Sequence, residues 1–172
     1  MKTSFILSVG VALALGGPHD ARAADEPLSA CFDAVGTFLT TNTDVDTKQI
    51  ASRSLFSFTN GGHFFRSDSV EGGGTGFAPF SGTRGDWRCV SDDGGKLHMV
   101  ALGIDFSQKT TELPDQTMAR VELDATYDEE SDSLEGEFSF YLVPIDADPM
   151  DTSLRRGVRN FTFDSIRVTA PM

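Results

Sequence analysis

One histidine, one aspartate and one tyrosine are the residues of this sequence best suited to proton transfer. His98 lies in the segment 96–106, where alternate residues from position 100 onward are apolar. Because alternate residues of a β-strand face the same side, we expect His98 to point into the protein and to be able to act as a general base near neutral pH. Asp105 interrupts the apolar run on the opposite face, and Tyr127 falls on the apolar face of a later strand. The catalytic candidates are therefore His98, Asp105 and Tyr127. The alternatives for His98 are a core histidine bonded to a backbone carbonyl and a rim residue at the start of the strand.

A second group of residues is suited to lining a cavity. The chain has 14 Phe but only 2 Tyr and 1 Trp, which favours a dry interior rich in phenylalanine. Arg66 shares a face with Phe64 and Asp68, so it could anchor a carboxylate or phenolate ligand; a surface pairing with Asp68 is the simpler interpretation. The predicted ligand-binding residues are Phe56, Phe58, Arg66, Trp87, Phe138 and Phe140.

Several standard kinds of site do not occur in the sequence. No histidine pair or Cys/His set has the spacing of a zinc site, and the nucleophile motif Gly-x-Ser-x-Gly is missing. The glycine-rich segment 71–76 lacks the Lys-Ser/Thr ending of a phosphate-binding loop, and we interpret it as a flexible lid. Asp146, Asp148 and Asp151 lack the glycine and the final glutamate of a calcium loop. We therefore predict no metal and no cofactor.

The charge of the chain restricts its partners. Lys and Arg number 14 against 26 Asp and Glu, which gives a formal net charge of −12. Such an acidic protein is not expected to bind nucleic-acid phosphates or an anionic membrane surface, because both need a basic patch. A small apolar or aromatic molecule is the predicted partner, and the oligomeric state stays open.

The first residues have the features of an export signal. Lys2 precedes the apolar run 5–15, and Ala21 and Ala23 are the small residues that a signal peptidase requires. The run is too short for a transmembrane anchor, which needs about 20 apolar residues. We predict a signal peptide over residues 1–23, a single domain over 24–172, and a periplasmic or secreted protein.

Cys31 and Cys89 are the only two cysteines of the chain. An even number of cysteines in an exported protein favours a disulfide, and neither has a second Cys or a His at ligand spacing. We predict that they are paired across 58 residues.

Turn residues and period-two alternation predict strands over most of the chain. Asn60-Gly61-Gly62 and the acidic turn 128–132 are typical hairpin connections. The predicted strands cover residues 36–43, 50–59, 63–70, 85–91, 96–106, 117–127, 133–143 and 158–168. About eight consecutive antiparallel strands favour an all-β, up-and-down barrel, since closure removes exposed edges. A β-sandwich is the first alternative, and an α+β cone is the second.

Two features carry a family resemblance. Gly36-Thr37-Phe38 on the first strand resembles the Gly-x-aromatic start of lipocalins. The hairpin 56–64 followed by Gly85-Asp86-Trp87 is similar to small barrels of the allene-oxide-cyclase and dirigent type. The resemblance implies a single cavity for a small apolar molecule, with or without cofactor-free chemistry.

Three functions are compatible with these observations. The first is an exported barrel that binds a small apolar or aromatic molecule in a phenylalanine-rich cavity. The second is a cofactor-independent lyase, isomerase or cyclase that acts on such a molecule by general acid/base catalysis. The third is a structural envelope protein without a pocket.

Overall fold

The computed structural model describes residues 29–74 and 77–171, and the predicted signal peptide lies outside these residues. Apart from two short 3-10 helices, Ser29–Ala34 and Thr152–Leu154, the described secondary structure is β-strand. The strands are β1 (Gly36–Asp44), β2 (Ile50–Phe58), β3 (His63–Asp68), β4 (Thr83–Asp92), β5 (Lys96–Phe106), β6 (Thr117–Asp128), β7 (Ser133–Pro144) and β8 (Arg156–Arg167). In this part of the chain, no helix is both long and apolar enough to cross a membrane.

The eight strands form one closed antiparallel barrel. Each strand pairs with the next along the chain, and β1 pairs with β8 through the register Leu39↔Ile166. Closure gives every strand two neighbours, so no strand is left as an unpaired edge. The predicted up-and-down barrel is confirmed, and the fold is neither a β-sandwich nor an α+β cone.

Alternation along each strand separates an inner face from an outer face. In β6, Val121, Leu123 and Ala125 are buried in the lumen, while Glu122 and Asp124 face outward. The acidic residues of β7 also face outward, as the pattern predicts. The charged outer surface and the apolar lumen therefore follow directly from the two-residue period of a β-strand.

One end of the barrel is closed by the N-terminal 3-10 helix and by short hairpin turns, and we call it the closed end. The predicted disulfide joins Cys31 of this helix to Cys89 of β4, with their Cα atoms 6.0 Å apart. Ala34 of the helix is fully buried against the lumen. The disulfide and this packing attach the helix to the end of the barrel.

The opposite end carries the four longer connections, and we call it the loop end. These connections are residues 45–49, 69–82, 107–116 and 145–155. Two of them contact each other, because the Gln108 amide donates to the Pro79 carbonyl at 2.7 Å. Loops at one end of a rigid barrel are a common place for binding residues.

Candidate functional site

Packed aromatic rings fill one part of the lumen. The ring centroid of Phe56 lies 5.8 Å from that of Phe64, 5.9 Å from that of Phe138 and 5.1 Å from that of Phe163, each pair edge to face. Phe138 also stacks on Phe161 at 4.8 Å. Edge-to-face and stacked contacts at these distances are favourable, so this aromatic cluster is a core in its own right.

Most of the predicted ligand-binding aromatics belong to this cluster. Phe56, Phe58 and Phe138 are almost fully buried, and Phe140 is partly buried and stacks on Phe161. Trp87 packs edge to face against Phe58 at 5.4 Å, and its indole N–H donates to the Thr59 carbonyl at 3.0 Å. The sequence places these side chains in the lumen correctly, where they pack against one another.

Toward the loop end the lumen is polar. The Asp68 carboxylate accepts hydrogen bonds from the Ser54 hydroxyl at 2.7 Å and the Ser52 hydroxyl at 3.0 Å. The Asn42 amide donates to both serines, at 2.6 and 2.9 Å. Arg66 completes the network through an ion pair with Asp68. We call these five residues, together with Thr83 and Asp105, the polar cluster.

The Arg66–Asp68 pair was expected on the surface, and this expectation is wrong. The Arg66 side chain is 7% exposed and that of Asp68 is fully buried, because even-numbered residues of β3 face the lumen. The guanidinium lies over the Phe138 ring, 5.0 Å from its centroid. Its Nε is buried and, like the Nε of Arg120, has no hydrogen-bond partner among the residues that the structure describes. An unsatisfied buried donor costs about 1–3 kcal/mol, so this nitrogen is open to an acceptor.

Asp105 lies on the lumen side of β5, near Arg66. Its carboxylate accepts one hydrogen bond from the Thr83 hydroxyl at 3.1 Å, and the residue is 3% exposed. Burial raises the pKa of the Asp105 carboxyl to about 6; the nearby Arg66 charge opposes this shift, and Glu71 and Asp68 add to it. Asp105 therefore changes its charge close to neutral pH.

A glycine makes room for this contact. Thr83 of β4 is buried beside Gly103 of β5, and a Cβ atom at position 103 would lie 2.5 Å from the Thr83 Cγ2. The missing side chain thus lets the threonine pack next to Asp105. Thr83 also pairs with Arg66 across β3 and β4, so it lies between the arginine and the aspartate.

His98 was expected to point into the barrel, and this placement is wrong. Its neighbours Leu97 and Met99 are the fully buried residues, while His98 lies on the outer face and its Nε2 contacts the Asp124 carboxylate at 2.8 Å. Both faces of β5 are apolar over residues 99–104, so alternation alone could not distinguish inside from outside.

Tyr127 lies in the lumen as predicted, but at the closed end. Its hydroxyl donates to Asp132 at 2.8 Å and accepts from Arg167 at 3.0 Å, and burial raises the pKa of its phenol. Asp105 pairs with Ala119 at the start of β6, and Tyr127 is eight residues further along that strand. Eight residues of strand span about 26 Å. The structure thus does not bring His98, Asp105 and Tyr127 together.

The outer wall holds a groove that the sequence did not predict. It has a volume of about 640 Å³ and crosses β4 to β8. Outward-facing residues of several strands contribute to it, among them Val100, Glu122, Asp124, Glu137 and Ser139. A second concavity, of about 430 Å³, lies at the loop end between the connections 69–82 and 107–116.

No family model, no curated protein and no solved structure matches this chain. Within residues 29–74 and 77–171, no group of three or more His, Cys, Asp or Glu is arranged to hold a metal ion. The chemistry of the site has to be argued from its own residues, of which the polar cluster is the most unusual group.

Proposed function

We propose that this protein is an exported barrel that binds a small apolar or aromatic molecule at the loop end of its lumen. The observation that carries the proposal is the buried Arg66 guanidinium, which lies over the Phe138 ring and close enough to Asp105 to affect its pKa, while its Nε has no partner among the described residues. Buried charged groups rarely contribute net stability, and such groups concentrate at functional sites.

The packing of the lumen favours one position for this ligand. Because the aromatic cluster is filled by its own rings, the ligand's apolar part rests against the edge of this cluster at Phe138, next to Arg66. The concavity of about 430 Å³ at the loop end is on the side from which a molecule would enter. The Cys31–Cys89 disulfide supports an oxidising, extracytoplasmic location. Mass spectrometry of the mature protein tests whether the chain is cleaved after Ala23.

The binding proposal is tested with N-phenyl-1-naphthylamine, a fluorescent apolar probe, using the single Trp87 in the lumen as the internal reporter. We expect saturable binding of one equivalent, with quenching of the tryptophan emission. Ala119→Leu adds volume on the lumen side beside Asp105 and should weaken binding about tenfold, by blocking the site.

Ser139→Leu is the matched control, because it adds the same kind of side chain in the outer groove. It should leave the affinity unchanged. Circular dichroism and thermal melting of both variants confirm that they fold. The absence of saturable binding, or a loss of binding in Ser139→Leu alone, would overturn the proposal in favour of a structural role or of a site in the outer groove.

A second candidate is cofactor-free acid/base chemistry, which the raised pKa of Asp105 favours. A carboxyl with a pKa of about 6 can hold or release a proton near neutral pH, as a general acid or base must. Chromatography of a bound molecule after incubation distinguishes the two candidates. Conversion that Asp105→Asn abolishes, without loss of binding, would make the protein an enzyme of the lyase or isomerase type.

A further inference from the structure

The charges around Arg66 restrict the head group that the loop end can accept. Asp68 already neutralises the guanidinium, and the Asp105 carboxylate lies nearby. The Glu71 carboxylate is a third acidic group at this end, where it accepts the Asp68 backbone N–H at 2.9 Å. With Asp105 ionised, the acidic groups outnumber the single arginine. A carboxylate or phenolate ligand, which the sequence suggested for Arg66, would therefore meet a repulsive field.

Two groups of the polar cluster keep clear hydrogen-bonding capacity. Asp68 already accepts four hydrogen bonds, three at one oxygen from Ser52, Ser54 and Arg66 and one at the other from the Val70 amide. Within residues 29–74 and 77–171, Asp105 accepts only from the Thr83 hydroxyl, and the buried Arg66 Nε has no partner. The site thus offers one N–H donor and one carboxylate acceptor, with Thr83 between them.

We propose that the ligand carries an uncharged head group with a carbonyl acceptor next to an N–H donor, as in a carboxamide or a lactam. This inference rests on the small-molecule-binding function proposed above. The carbonyl oxygen accepts from the Arg66 Nε, and the ligand's N–H donates to the Asp105 carboxylate. The apolar or aromatic body of the ligand packs against Phe138. Both groups then gain a hydrogen-bond partner without an added charge.

Two probes that differ only in the head group test this assignment: 2-naphthamide and 2-naphthoate. At pH 7.5, calorimetric titration should give an affinity for the amide at least about tenfold above that for the carboxylate, because the site discriminates by hydrogen bonding and charge. At pH 5 Asp105 takes up a proton and loses its charge. The carboxylate probe, which stays ionised there, should then bind more tightly, whereas the affinity for the amide should not increase.

Three variants connect this behaviour to the named residues. Asp105→Asn removes the charge while keeping the shape, so the preference for the amide should fall to less than about threefold and lose its pH dependence. Asp164→Asn makes the same charge change at an exposed position of β8 and should leave the preference intact. Arg66→Lys keeps a positive charge beside Asp68 but has no Nε, and should weaken amide binding about tenfold.

The outcomes separate this inference from the function on which it rests. If N-phenyl-1-naphthylamine binds but 2-naphthamide does not, or if the carboxylate binds as tightly as the amide at pH 7.5, the amide assignment is wrong and the binding barrel stands. An unchanged preference for the amide in Asp105→Asn would also overturn the amide assignment and leave the binding function standing. If none of the three probes binds saturably, the binding function itself is overturned.

Discussion

Two arginines in the lumen, one at each end of the barrel, have opposite surroundings. At the closed end, Arg167 donates from Nε to Asp132 at 2.5 Å. Its two other nitrogens donate to the backbone carbonyls of Asp33 in the 3-10 helix and of Val35 just after it, and to the Tyr127 hydroxyl. Its guanidinium also lies 4.7 Å from the centroid of the Phe38 ring. At the loop end, Arg66 has one acidic partner and an unpartnered Nε.

The difference distinguishes an arginine that stabilises the fold from one that is available to a ligand. A planar guanidinium with all its edges bonded fixes the groups around it, so Arg167 holds the helix to β8 and to the hairpin at 129–132. Arg66 is more deeply buried, but its Nε has no partner among the described residues. The closed end is therefore expected to contribute most to stability, and the loop end to binding.

The largest effect is expected from removing the disulfide at the closed end. Replacing both cysteines, Cys31→Ser with Cys89→Ser, should lower the free energy of unfolding by about 4 kcal/mol, the value expected for opening a loop of this length. Urea unfolding followed by circular dichroism measures the change. A reducing agent should destabilise the wild-type protein and leave the double variant unaffected. A loss below about 1 kcal/mol would show that packing alone secures the 3-10 helix.

A smaller effect is expected at Arg167. Arg167→Met keeps much of the apolar contact with Phe38 but removes the ion pair with Asp132 and the bonds to the helix, and should cost about 2–3 kcal/mol in the same experiment. Arg156→Met, at an exposed position at the start of β8, should change the stability by less than about 0.5 kcal/mol. Equal effects of the two variants would remove the distinction between Arg167 and a surface arginine.

Much of the fold could be predicted from the sequence, because turn chemistry and alternation are local signals. β5 begins and ends where predicted, and the inner and outer faces of β6 are correct from Val121 onward, whereas Arg120 on the predicted wet face is buried. The same rule failed for His98, since both faces of β5 are apolar in the middle of the strand. There the small residues Ala101 and Gly103 line the lumen and the larger Val100 and Leu102 face outward, which depends on the closure of the whole barrel.

The polar cluster was harder to predict, for a related reason. Asn42, Ser54 and Thr83 are polar residues in strands, and a polar residue in an alternating pattern is ordinarily placed on the wet face. Their burial depends on hydrogen bonds between neighbouring strands from β1 to β5, in which Asn42 and Ser54 connect to Asp68, and Thr83 to Asp105. Such pairing between strands is long-range information. The one visible signal was the pair Arg66 and Asp68, two residues apart on the same face of a strand that otherwise buries Phe64.

The smallest effect on stability is expected from Asp105→Asn. This variant also gives the most direct test of the difference between the two ends of the barrel. The pKa of Asp105 in the folded protein is about 6, above the ordinary value of 3.8, so the folded state disfavours the ionised form. The contribution of Asp105 to the free energy of unfolding therefore falls as the pH rises from about 4 to about 6, and this contribution is fully lost at neutral pH. Asp105→Asn removes the buried charge and should raise the free energy of unfolding at pH 7.5 by about 1–2 kcal/mol.

The sign of the pH dependence separates this effect from a general change in packing. The difference in unfolding free energy between Asp105→Asn and the wild type should be near zero at pH 4, where Asp105 is protonated, and should grow to its full value above pH 6. Asp132 at the closed end behaves in the opposite way, because its hydrogen bonds from Arg167 and Tyr127 keep the pKa of its carboxyl low despite partial burial. Asp132→Asn should therefore lower the stability at pH 7.5. If both variants shifted stability in the same direction, the contrast between a closed end built for stability and a loop end kept open for a ligand would fail.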